Sequence, residues 1–119
     1  MVIQTERNKL EKQYLDKIEI NPNLNRKLIS FQANKKTPFY QWFPFKEGFS
    51  SQMVKQFITA SGKSKGKILD PFSGSGTTLF AAKEVNFDAI GIELMPIGKF
   101  ILDTRNAIRN ISLKTLNQE

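Results

Sequence analysis

The stretch KILDPFSGSGTTLFAAKEVNFDAIGIE, residues 67–93, decides the fold of this chain. It opens with a short apolar strand of buried type, Lys67–Asp70, and passes through a glycine turn into a helix predicted from about Thr77 to Val85. A second strand is predicted at 87–93, and Pro96 suits the first turn of a last helix. This order of elements predicts a βαβα unit with parallel strands and a right-handed crossover.

Residues 1–36 are predicted to form a helical arm, separate from the α/β domain predicted at 37–119. Leu10, Tyr14 and Ile18 recur at four-residue spacing among charged residues, which predicts a helix over 5–19 with a thin apolar stripe. Turn-forming residues at 21–25 end this helix, and the pattern of 26–36 is ambiguous.

An aromatic-rich segment leads from the arm to the βαβα unit. Six aromatic residues fall within 39–49, and the two prolines of residues 37–50 argue against regular structure there. Ser50 suits the N-cap of a helix over 51–60 with an apolar face of Met53, Val54, Phe57 and Ile58. The predicted apolar face of the last helix consists of Ile97, Ile101, Thr104, Ile108 and Ile111.

Composition excludes several kinds of chemistry. The chain has 119 residues with no Cys and no His, which excludes disulfides, thiol nucleophiles and His-based triads, and we predict no metal site. Eighteen Lys and Arg against eleven Asp and Glu give a net charge of +7, which indicates a polyanionic partner, most simply nucleic acid. A basic surface without such a partner is an equal alternative, and the charge alone does not decide between them. No long apolar run or signal-type leader is evident, so we expect a cytoplasmic protein without membrane contact.

The glycine turn DPFSGSGTT, residues 70–78, admits three ligand classes. A P-loop is disfavoured because no Lys follows the glycines, and a dinucleotide site because Leu79 stands at the third glycine position. Asp70 argues against any phosphate beside the turn and for a cationic ligand such as S-adenosylmethionine, which carries an ammonium and a sulfonium. Glu93, at the end of the second strand, lies nineteen positions after Gly74, which suits an acid that binds ribose hydroxyls. A tight capped turn without any ligand is the structural alternative.

The chain resembles a known family in this region. ILDPFSGSGTTLFAAKEVNFDAIGIELMP, residues 68–96, is similar to the cofactor half of the DNA amino-methyltransferases, which methylate cytosine N4 or adenine N6. The combination of DPF-x-GSGTT and GIE-x-x-P is specific to that group. WFPFKEGFSSQMV, residues 42–54, is similar to the segment that precedes it and closes over the methionine end of the cofactor. The resemblance covers about 40–105, and we name no resemblance for the first 36 residues.

The resemblance implies a partial Rossmann-like methyltransferase fold that binds S-adenosylmethionine. It assigns the methionine side of the cofactor to the turn, the ribose to Glu93 and the adenine to Leu94. Three residues of the aromatic-rich segment would lie over the methionine end of the cofactor. The implied cofactor residues are Lys46, Gly48, Phe49, Asp70, Phe72, Gly74, Ser75, Gly76, Thr77, Glu93 and Leu94.

The catalytic motif of these enzymes, [DNS]-P-P-[YFW], is absent, since the prolines at 22, 38, 44, 71 and 96 are all isolated. We therefore assign no catalytic residue. We expect a second polypeptide to supply the motif, DNA recognition and the missing strands, as in a split restriction-modification methyltransferase, unless the chain is a truncated form. Two alternatives stay open: an inactive remnant or regulatory fragment that binds cofactor or DNA, and a fragment of an RNA guanine methyltransferase, whose glycine turn is similar.

Overall fold

The computed structural model describes residues 5–17 and 19–109. The helices and strands follow the order α1 (Glu6–Tyr14), α2 (Arg26–Ile29), α3 (Ser51–Ala60), β1 (Lys67–Asp70), α4 (Thr77–Glu84), β2 (Asp88–Gly91) and α5 (Pro96–Arg109). Short 3₁₀ segments occur at Leu15–Lys17, Phe31–Lys36 and Tyr40–Trp42. This mixture of helices and strands is compatible with the partial methyltransferase fold that the sequence predicts.

The two strands form a parallel sheet, as predicted. Lys67 pairs with Asp88 and Leu69 with Ile90, and α4 connects the two strands. β2 is shorter than the predicted strand at 87–93, because the chain after Gly91 turns into the loop that carries Glu93.

The core lies between α3, α4 and one face of the sheet. Five buried side chains form it, and Ile68 and Ala89 pack on it from neighbouring positions of the two strands. Both helices therefore cover the same face of the sheet, and apolar burial between them is the main stabilising contribution. The buried members are Val54, Ile58, Ala81, Ala82 and Phe87.

The opposite face of the sheet is uncovered, and here the prediction of a buried-type strand is wrong for the described residues. Leu69 is 64% exposed, and its register partner Ile90 is 58% exposed. Alternate residues of a strand point to opposite faces, so burying Ile68 leaves Leu69 on the side that no described helix covers.

Two predicted apolar helix faces need correction. Ser50 caps α3 as predicted, because its hydroxyl oxygen accepts a hydrogen bond from the N–H of Met53 at 3.0 Å. Val54 and Ile58 are buried on that helix, whereas Phe57 is mostly exposed.

The predicted face of α5 is the second correction, because Ile97, Thr104 and Ile108 are exposed and only Ile101 is buried. Ile111 lies outside the described residues. The inner side of α5 instead carries Gly98 and Arg105, because the helix approaches the glycine turn so closely that a glycine and a hydrogen-bonding side chain fit there better than a branched one.

The predicted arm has two parts with different packing. Thr5 caps α1, and no residue of this helix is buried. The ambiguous stretch 26–36 forms α2 and a 3₁₀ segment that pack near α3. Asn34 fixes this packing, since its side chain donates to the carbonyl of Phe49 at 3.0 Å and accepts from the N–H of Ser51 at 3.0 Å. Within the described ranges, no helix combines the length and apolar character needed to cross a bilayer.

Candidate cofactor site

The turn after β1 is tied to the end of β2. The carboxylate of Asp70 accepts the N–H of Phe72 at 3.1 Å, which closes the first bend of the turn. The carbonyl of Asp70 accepts the N–H of Ile92 at 2.9 Å, and the N–H of Ser73 donates to the carbonyl of Ile92 at 3.0 Å. These bonds hold the carboxyl ends of both strands side by side, which is where ligands bind in open α/β sheets.

The two glycines of the turn serve different purposes. Both have positive φ angles, +49° at Gly74 and +81° at Gly76, which glycine adopts without a steric penalty. A Cβ at Gly76 would collide with the side chain of Leu102 and lie 2.9 Å from the ring of Phe80, so this glycine allows α5 to pack on the turn. A Cβ at Gly74 would lie 3.2 Å from the ring of Phe45, at the border of a cavity.

Glu93 reaches back to the turn from the loop after β2. One carboxylate oxygen accepts the N–H of Gly74 at 2.7 Å, and the other accepts the N–H of Met95 at 2.7 Å. A Cβ at Gly98 would lie only 2.5 Å from Cγ of Glu93, so the glycine in α5 leaves room for this conformation. The structure thus brings together the turn and the acid that lie nineteen positions apart in sequence.

A cavity of about 520 Å³ opens where these elements meet. Its volume lies in the range of small-molecule sites. The charged side chains that line it, Glu47 and Glu93, are both acids. Phe72 and Leu94, which are 87% and 93% exposed, present apolar surface beside them. The full lining is Phe45, Glu47, Pro71, Phe72, Gly74, Ile92, Glu93, Leu94 and Met95.

This lining fits a cationic organic ligand better than a phosphate. Two carboxylates at the cavity attract positive charge and repel phosphate oxygens, and none of the described residues that line it is basic. The exposed apolar side chains can cover a ring system. The donor and acceptor set is therefore compatible with the ammonium, sulfonium, ribose and adenine of S-adenosylmethionine.

The predicted site residues divide into three groups. Phe72, Gly74, Glu93 and Leu94 line the cavity, and Asp70 is partly buried beside it. Three further turn residues are buried behind the turn and do not line the cavity: Ser75, Gly76 and Thr77.

The third group comes from the aromatic-rich segment. Phe49 packs on the core cluster and lines a different cavity, next to α3. Gly48 forms a tight turn, in which its N–H donates to the carbonyl of Phe45 at 3.0 Å, and Lys46 is exposed on that turn. The turn brings Phe45 to the cavity.

Sequence reasoning did not assign Phe45 or Met95 to the site. The glycine three positions after Phe45 was the available signal, because it indicates a turn that can reverse the chain toward the site. Met95 gave no signal in sequence, since only the carboxylate of Glu93, bonded to its N–H, places it at the cavity.

Comparison with known proteins decides the family. The family model described as DNA methylase matches residues 3–97. The chain belongs to this family. The match includes most of residues 1–36, which the sequence motifs alone left without a resemblance.

Individual relatives of this chain are named Type II methyltransferases. M.AvaI of Nostoc sp. is 46% identical over 101 residues, covering 84% of this chain and 21% of the relative. M.BsoBI of Geobacillus stearothermophilus is 43% identical over 116 residues, covering 97% of this chain and 23% of the relative. The chain thus spans about a fifth of the length of these curated relatives. No solved structure matches it.

Proposed function

We propose that this chain forms the S-adenosylmethionine-binding part of a DNA methyltransferase that methylates cytosine N4 or adenine N6. The observation that carries the proposal is the cavity at the carboxyl ends of the strands, which joins Gly74 to Glu93 and has only acids among its charged lining residues. When bound, the cofactor supplies a methyl group activated by the sulfonium.

Different residues of the site would bind different parts of the cofactor. Glu93 would accept hydrogen bonds from the ribose hydroxyls, because a carboxylate with two oxygens offers about four acceptor positions and two are in use. Leu94 would lie beside the adenine. Asp70 and Glu47 would favour the cationic methionine end, and Phe45 and Phe72 would cover its apolar atoms. Gly48 and Lys46 would act through the turn that presents Phe45.

DNA is the nucleic acid that the comparisons favour as substrate. The matching family is described as DNA methylase, and the relatives are named Type II methyltransferases, which supports a place in restriction-modification. The net charge of +7 is consistent with a polyanionic substrate. These findings favour DNA over the RNA guanine alternative.

A further part of the enzyme would complete the fold and the active site. The 119 residues contain no Pro-Pro pair, so the catalytic motif would come from elsewhere, in the same or a second polypeptide. The uncovered face with Leu69 and Ile90 is a surface on which such a part could pack, because exposed apolar surface of this kind is stabilised when covered.

Calorimetric titration of the chain tests cofactor binding. We expect S-adenosylmethionine and S-adenosylhomocysteine to bind and ATP not to bind, because the acids at the cavity repel phosphate. Equal binding of ATP, or no binding of either S-adenosyl compound, would contradict the proposal.

Complementation tests the reaction. The chain is mixed with a segment of the enzyme that carries the Pro-Pro-aromatic motif, and methyl transfer to DNA and to RNA is measured with labelled cofactor. We expect transfer to DNA only in the complete mixture. Cofactor binding without transfer in any mixture would instead favour the inactive regulatory fragment, which the missing motif supports.

A further inference from the structure

Arg105 is a buried cation at the inner side of α5. It is 3% exposed, and its guanidinium donates to the carbonyl of Ser75 at 2.6 Å and to the carbonyl of Tyr40 at 3.4 Å. The same group lies 5.3 Å from the ring centroid of Phe39 and 5.9 Å from that of Phe80. One side chain therefore joins the glycine turn to the aromatic-rich segment.

Burying the charged guanidinium costs solvation free energy. Desolvation lowers the pKa of the Arg105 guanidinium below its ordinary value, although Tyr40 opposes the shift. Among the described residues no carboxylate forms an ion pair with it, and it donates to two backbone carbonyls. An apolar side chain would avoid the desolvation, so a stability role alone does not explain an arginine here.

Both carbonyls belong to segments that form walls of the cavity. Ser75 stands between the two glycines of the turn, and its neighbour Gly74 borders the cavity. Tyr40 begins the short 3₁₀ segment that lies upstream of Phe45, and Phe45 also borders the cavity. The contact between the Phe45 ring and Gly74 is where these two walls meet.

The far end of Tyr40 is anchored to the helical layer. Its hydroxyl donates to the carboxylate of Glu84 at 2.9 Å, and Lys55 forms an ion pair with the same carboxylate at 2.5 Å. Tyr40 thus fixes the aromatic-rich segment in two places. Its hydroxyl is bound to α4 through Glu84, and its backbone carbonyl is bound to Arg105.

We infer that Arg105 is a positioning residue, which holds the glycine turn and the 39–45 segment in the relative position that shapes the cofactor cavity. The inference rests on the proposed cofactor site, although the residue itself lies behind the turn and does not line the cavity. Arginine suits the task because its planar fork spans two acceptors while its faces stack on aromatic rings, and lysine offers neither property.

The test compares Arg105→Lys and Arg105→Met with the wild-type 119-residue chain. The control is Lys99→Met, which breaks an exposed ion pair with Asp103 on the same helix. Titration with S-adenosylmethionine measures affinity, and amide hydrogen exchange of residues 73–76 measures the order of the turn. Trp42, the only tryptophan, lies 5.4 Å from the ring of Phe39, so its emission reports on the segment.

We expect Arg105→Lys to bind the cofactor about tenfold more weakly or worse, in line with other residues that orient ligand-binding groups. Turn amides should exchange faster and Trp42 emission should shift, while Lys99→Met matches the wild type in all three readouts. Arg105→Lys retains the charge and most of the volume, so it remains informative if Arg105→Met fails to fold.

Wild-type affinity and unchanged turn exchange in Arg105→Lys would overturn the inference. A wild-type chain that binds no S-adenosylmethionine would overturn the proposed function, and the exchange and emission comparison would then decide the role of Arg105 without the cofactor. Faster exchange confined to the turn would support positioning, whereas unchanged exchange would refute it.

Discussion

Replacing Gly98 with alanine tests whether the conformation of Glu93 depends on a missing side chain in α5. A Cβ at this position would lie 2.5 Å from Cγ and 2.8 Å from Cδ of Glu93, and 3.1 Å from the carbonyl of Gly74. Distances this short to Glu93 cannot be tolerated, so the carboxylate must move away. It would then lose its bonds to the N–H groups of Gly74 and Met95.

The net effect on stability follows from two opposing contributions. Alanine in a helix is favoured over glycine by up to about 1 kcal/mol. Each of the two lost hydrogen bonds contributes about 1 kcal/mol, a value below the range usual for charged acceptors because Glu93 is partly exposed. The expected result is a net destabilisation of about 1 kcal/mol, or a fall in Tm of roughly 4 °C. Affinity for S-adenosylmethionine should fall about tenfold or more, because the displaced acid is the proposed ribose ligand.

Thermal unfolding and calorimetric titration measure both effects. The matched control is the same substitution in a Glu93→Ala background, where the obstructing side chain is gone. There we expect Gly98→Ala to be neutral or stabilising, so that the two substitutions are strongly coupled. A raised Tm in the single variant, or equal effects in both backgrounds, would refute the steric argument.

Three other substitutions test separate parts of the molecule. Asp70→Ala should abolish measurable cofactor binding while costing only about 1 kcal/mol of stability, since the carboxylate accepts one hydrogen bond from the described residues, which closes a local bend; titration and chemical unfolding check this. Ile90→Thr should change stability by at most about 0.5 kcal/mol because the side chain is exposed, yet weaken methyl transfer in the complementation assay. Ser50→Ala should destabilise the chain by about 1–2 kcal/mol in urea, because the hydroxyl caps α3 and also donates to a buried carbonyl.

Each of these three substitutions has a control variant or a result that would contradict its reasoning. Asp70→Asn keeps the acceptor for the bend but removes the charge, so retained cofactor binding in that variant would show that charge is not the reason for the acid. For Ile90→Thr, normal complementation would argue against assembly on the uncovered face. For Ser50→Ala, the exposed Ser64→Ala provides the reference, and equal unfolding midpoints would contradict the capping argument.

Local patterns in the sequence were sufficient for the βαβα unit and for much of the candidate site. Short apolar runs, a glycine turn and a proline at the start of the last helix predict β1, α4, β2 and α5 with small errors at their ends. The proximity of Gly74 and Glu93 also follows from sequence, because parallel strands bring their carboxyl ends to one edge of the sheet.

Residues with long-range contacts were not predictable in the same way. Arg105 appears in sequence as one of eighteen basic residues, and only its packing on the turn distinguishes it. Ile97 and Ile108 have the spacing of a buried helix face, yet the helix rotates so that Gly98 and Arg105 face inward. Periodicity indicates that a helix has an apolar side but not whether a described neighbour covers it.

The sequence by itself determined the strand–turn–helix–strand–helix order, the acid beside the glycine turn and the absence of a catalytic motif. Only the tertiary structure decided which turn residues face the cavity, which aromatic residue reaches it and which sheet face is left open. The physical reason is the range of the interactions. Helix caps, turns and strand alternation depend on neighbouring residues, whereas the cavity depends on contacts such as Ser75 to Arg105, thirty positions apart.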